Sequence, residues 1–104
     1  MMKFASMTFG LALVGLISMP ASNAFAYTGE NLAKGAKVTI DDARAIALKA
    51  RPGTITDEEL EKEKGGSGLR YSFDIKSGGV VHEVGVDAQT GKVLENAKEG
   101  PHPD

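Results

Sequence analysis

Along residues 38–94 the polar and apolar positions change period several times. Ile40, Ala43, Ile46, Ala47 and Ala50 recur at three- and four-residue intervals, one apolar stripe on a helix, with Arg44 and Lys49 directed elsewhere. Thr39 stands where a side-chain oxygen caps such a helix, and Asp42, three residues on, is the acidic member of a capping box. Asp41 and Asp42 also suit the positive end of the helix dipole. Pro52 and Gly53 close the helix, because the proline ring forces Arg51 out of helical geometry.

In residues 54–64 local propensity and context disagree. Propensity favours a helix, with Thr56 and Glu59 as a second capping box, yet that helix would bury only Ile55 and Leu60. As an edge strand, the same charges guard an exposed backbone ladder against stray pairing, so the strand is the better reading. Gly65, Gly66, Ser67 and Gly68 follow as a flexible turn.

Two alternating runs, residues 69–76 and 80–87, flank Gly78-Gly79 and predict a β-hairpin. With those glycines as the loop, Ile75 faces His82, Phe73 faces Val84, Tyr71 faces Val86 and Leu69 faces Ala88, all on the face toward the helix. On the other face Arg70 meets Asp87 as an expected ion pair, and Asp74 meets Glu83, two like charges that cost stability. Asp87, Thr90 and Gly91 form a structural turn: Asp87 binds turn amides and Gly91 supplies a positive φ. Val93 and Leu94 make a short last strand. The fold class is α+β in two layers, one N-terminal helix packed on a three- to four-stranded antiparallel β-meander.

Ahead of this lies a different kind of apolar sequence. Lys3 precedes an uninterrupted apolar run, residues 9–17, then Pro20 and the small-residue triplet Ala24-Phe25-Ala26, the layout of a cleavable signal peptide. The alternative, a membrane anchor, is disfavoured because the run falls short of the about 20 residues that span a bilayer. The expected organisation is a signal peptide over residues 1–26 with cleavage after Ala26, then a flexible leader or short helical turn over 27–37. A domain over 38–97 and a disordered tail over 98–104 complete it. Localisation is expected to be periplasmic or secreted, without a stable membrane anchor after cleavage.

Composition narrows the chemistry. Twelve Lys and Arg against fourteen Asp and Glu give a net charge of -2, and loss of Lys3 makes it more acidic, which argues against nucleic-acid binding. No cysteine is present, so disulfides, thiolate metal sites, a thiol nucleophile and a lipid-bearing cysteine are all excluded. An exported domain this small, without staples, commits its apolar residues to the core. Ser67, Ser72 and Ser77 lack a histidine and carboxylate at any triad spacing, and no enzymatic activity is expected. Nor is any cofactor expected.

The capped helix with Thr39-Ile40-Asp41-Asp42-Ala43 and Ala47, then Pro52-Gly53, Glu59-Leu60-Glu61, Tyr71-Ser72-Phe73-Asp74-Ile75 and the segment from Val84 to Leu94 together resemble a PepSY domain. The resemblance covers residues 38–94, and its most specific part is Asp87-Ala88-Gln89-Thr90-Gly91-Lys92-Val93. It implies a strand at Glu59-Leu60-Glu61. It also implies a non-catalytic module of the kind found in propeptides of secreted metallopeptidases, thought to restrain peptidases by protein contact. With no peptidase within these residues, the implied action is in trans on a separate envelope or extracellular protein, a peptidase among the candidates.

Glu58, Glu59, Glu61 and Glu63 are the candidate contact edge for a basic partner surface, set against the simpler role of keeping an edge strand soluble. The competing reading is a cation- or metal-binding sensor or accessory domain, motivated by Asp74, Glu83, His82 and His102. It is weakened by the lack of a calcium-loop pattern and of enough soft ligands. His82 falls on the core face as a structural residue, and His102 belongs to the tail.

Overall fold

The computed structural model describes residues 26–100. The expected signal segment ahead of Ala26, and the chain from Pro101 with His102, lie outside the described residues. The elements in chain order are a 3-10 helix at Glu30–Gly35, helix α1 (Ile40–Ala50) and strands β1 (Thr54–Lys62), β2 (Leu69–Ser77), β3 (Val80–Asp87) and β4 (Val93–Lys98). The strands form one antiparallel sheet in the order β1-β2-β3-β4. With α1 on one face, this is the expected two-layer α+β meander.

Helix α1 starts where the capping pattern places it: the Thr39 hydroxyl accepts from the Asp42 amide at 3.1 Å. Its central contacts are Ala43 and Ala47, both fully buried, and their small side chains let the helix lie close to the sheet. Beneath them lie Leu60 from β1, Tyr71, Phe73 and Ile75 from β2, Val84 and Val86 from β3, and Ala88. Tyr71 satisfies its buried hydroxyl by donating to the Val38 carbonyl at 2.7 Å.

The hairpin register is the one alternation predicts, with Tyr71 opposite Val86, Phe73 opposite Val84 and Ile75 opposite His82. Gly78 and Gly79 have φ of 62° and 81°, which suits a tight hairpin loop matched to the strand twist. Residues 54–62 form the strand β1, so tertiary pairing overrides helix propensity there.

Several expectations change. The last strand does not stop at Leu94 but continues to Lys98, with a register shift at Leu94. Its polar residues gave no apolar alternation because it is an edge. Asn96 instead serves the end of α1, donating to the Ala50 carbonyl at 3.3 Å and accepting from Arg51 Nε at 3.2 Å. The glycine-rich turn after β1 is anchored, since Ser67 donates its amide and hydroxyl to the Asp87 carboxylate at 2.6 and 2.8 Å. Arg70 stands opposite Asp87, but its ion pair is with Glu95 at 3.4 Å; the Asp87 carboxylate is turned into the turn amides. Arg44, expected to point away from the packed layer, reaches β1. Within residues 27–37 only Glu30–Gly35 takes the helical-turn form, and Tyr27, Leu32, Ala33 and Ala36 pack against the core.

Candidate functional site

Strand β1 carries the four glutamates singled out from the sequence, and its period of two separates them. Glu58, paired with Phe73, lies on the helix side. Its carboxylate accepts two hydrogen bonds from Arg44, from Nε and Nη2, each at 2.8 Å, a forked pair that ties α1 to the strand. Arg44 also donates to Asp41 at 2.6 Å. Glu59 and Glu61, opposite Ser72 and Arg70, lie on the face away from the helix, and Glu61 accepts from the buried Ser72 hydroxyl at 2.7 Å. Glu63 is exposed beyond the strand, its amide donating to the Gly68 carbonyl at 3.1 Å. The four therefore do not form a single surface.

The outer border of β1 is met by the leader. Thr28 bridges to Glu59 in parallel, and its carbonyl accepts from the Leu60 amide at 2.8 Å. Glycine is required at the next position. Gly29 has φ of 86°, and a Cβ there would sit 1.8 Å from the Leu60 carbonyl oxygen. The Tyr27 ring packs on Tyr71 with centroids 6.4 Å apart. Beside this crossing lies an open groove of about 770 Å³, lined by Tyr27 and Thr28 of the leader, Arg44 of α1, and Ile55, Asp57 and Glu58 of β1.

On the face opposite α1 the register brings carboxylates together. Asp57 stands beside Asp74, Asp74 beside Glu83, and Gly85 beside Glu95. Burial pushes Glu83 up to about 7, helped by the charges of Glu95, Asp74, Glu61 and Glu99. Asp74 is raised as well, by burial and then by Glu99 and Asp57. Arg70 does not relieve the pair. It crosses over Gly85, where a Cβ would meet its Cδ at 3.1 Å, to reach Glu95 and the Lys64 carbonyl. Chemically this face can hold a proton near neutrality. Among the described residues, no group of three or more His, Cys, Asp and Glu is placed to hold a metal ion. His82 lies opposite Ile75, half-buried, with its Nδ1 lacking a hydrogen-bond partner.

The Asp87 turn is organised as its sequence implies. Burial alone would raise this carboxyl, but hydrogen bonds from Ser67, Gln89 and Thr90 outweigh it and hold it down to about 2. Gly91 has φ of 80° and donates to the Asp87 carbonyl at 2.8 Å, while the Thr90 hydroxyl accepts from the Lys92 amide at 3.2 Å. These residues shape the scaffold.

Besides the contacts of Arg70 and Asn96, sequence reasoning missed Arg44 with Glu58, Ser67 with Asp87, and Thr28 with the border of β1. The first had a faint signal, a cation flanking the helix stripe ahead of an acidic strand. The other two join distant residues through loops without a periodic pattern.

The family profile described as peptidase propeptide and YPEB domain, PepSY, matches residues 37–96. No curated protein and no solved structure matches the chain.

Proposed function

Because the chain belongs to the PepSY family, whose domains are generally inhibitory or regulatory and not catalytic, we propose that it is an exported, non-catalytic interaction module. In this reading it restrains or regulates a separate peptidase-class partner in trans. PepSY domains are typically exported, and no helix among the described residues is long and apolar enough to cross a membrane. The signal layout of residues 1–26 supports the same compartment.

The observation that carries the reading is the border of β1. It is an acidic edge strand, crossed at Thr28 by the leader and next to an open groove. Edge strands recruit extended segments through main-chain hydrogen bonds, and neighbouring side chains supply selectivity. Glu59 and Glu61 add negative charge on the adjacent face, suited to a basic partner surface.

Crosslinking in the native envelope followed by mass spectrometry tests this. A peptidase is the expected partner, and adding the purified protein should lower that peptidase's kcat/KM. Reversal of Glu59 and Glu61 to lysine should weaken the effect. Recovery of no partner, with reversal making no difference, overturns the proposal. The cation-binding alternative is separated by calorimetric titration with calcium, zinc, copper and nickel, where heat above the buffer blank would favour it.

A further inference from the structure

In an antiparallel pair, alternate residues direct their N–H and C=O groups to opposite sides of the strand. The Leu60 amide donates outward, to Thr28, so Glu58 two residues earlier presents its main chain to the same side. That side of β1, from the bulge at Thr56 to Glu58, borders the groove lined by Tyr27, Arg44 and Ile55. The leader already pairs with this border in parallel at Glu59. A second extended segment in the groove would continue the same pairing along the strand.

The period of β1 dictates what that segment must carry. Side chains directed to the helix side meet Ile55 and the Tyr27 ring, an apolar floor. The Arg44 charge there is matched by Glu58 and Asp41. Side chains directed to the opposite side meet Asp57. Strand β1 carries four carboxylates, Asp57, Glu58, Glu59 and Glu61, and one cation, Lys62.

We propose that the groove beside β1 binds an extended partner segment by parallel β-augmentation, and that the segment alternates apolar residues toward Ile55 with basic residues toward Asp57. This deepens the interaction role proposed above and rests on it. The leader, Ala26 to Thr28, borders one end of the site, and the Thr56 bulge borders the other.

The probe is an end-blocked peptide of four Val-Lys repeats, titrated into the isotope-labelled exported protein and followed by amide shifts and hydrogen exchange. Binding should slow exchange at the Glu58 amide about tenfold, a local change that exchange resolves. Two controls, a Val-Glu repeat and a Val-Lys repeat N-methylated on alternate residues, should not do so. Asp57 is exposed, and Asp57→Lys should weaken the Val-Lys peptide about tenfold while admitting the Val-Glu peptide. Equal binding of the N-methylated peptide would show charge without strand pairing and overturn the proposal. Shifts centred on Asp74 and Glu83, protection that depends only on protein concentration, or no binding would also overturn it. Peptidase regulation that survives such a result would leave the broader role standing with a different contact surface.

Discussion

Asp87 shows how one buried charge organises two loops at once. Its carboxylate is 1% exposed and accepts from the Ser67 amide and hydroxyl and the Gln89 and Thr90 amides. Hydrogen bonds to a charged acceptor are stronger than neutral ones, and a buried group that loses its partners retains the desolvation cost. Asp87→Asn keeps the shape but removes the charge and turns one acceptor into a donor facing donors. It should destabilise the fold by about 2–4 kcal/mol, measured by urea unfolding. Gly66 belongs to the same node, since a Cβ there would lie 2.2 Å from the Asp87 carboxylate. A loss no larger than that of an exposed Asp57→Asn control would show that the turn holds without its anion.

At the level of elements, the leader is tied to the sheet by main-chain pairing and by packing, although its sequence has no sustained period. Its crossing depends on Gly29 in a left-handed conformation against the Leu60 carbonyl. Gly29→Ala introduces strain and a clash there, and should release residues 27–37 while leaving the β2–β3 hairpin intact. The expected signature is a stability loss of about 1–2 kcal/mol, together with faster proteolysis confined to the leader. Uniformly faster exchange over the whole sheet would show that the leader is part of the cooperative core. Arg44 and Glu58 act at the same scale, fastening α1 to β1 through a partly buried pair with side chains 20% and 16% exposed.

For the whole molecule, the acidic face and the Asp87 turn set opposing pH limits. Glu83 is held at about 7, above its ordinary 4.5, so the folded state binds a proton that the unfolded chain releases between those values. Stability therefore falls as pH rises from 4.5 through 7, and Asp74, also raised, acts in the same direction. Asp87 is held at about 2, below 3.8, so its support is complete above 3.8 and is lost as pH falls through 2. The midpoint of thermal unfolding should be highest at about pH 4–5 and decline toward pH 8. Glu83→Gln should flatten the alkaline decline and leave the acid limb unchanged. An unchanged slope between pH 5 and 8 would mean that Glu83 does not titrate above its ordinary value in the folded protein.

The sequence by itself determined the features that period and turn chemistry encode. The stripe from Ile40 to Ala50, the Thr39 cap, the glycine hairpin and the Asp87–Gly91 turn are local signals, each read within a few residues. Alternation then fixed which side of β2 and β3 faces the core, because a slip of one residue would expose Tyr71, Phe73 and Ile75. Only the tertiary structure decided the destinations of the polar side chains. It sent Arg44 to Glu58, Arg70 over Gly85 to Glu95, and Ser67 to Asp87, 20 residues away. It also divided the four glutamates of the acidic segment between two faces and the strand's end, and laid Thr28 along the border of β1. The physical reason is range: burial of apolar groups is non-directional and its period is written in the chain, whereas a charge pairs with whatever the packed backbone brings within reach.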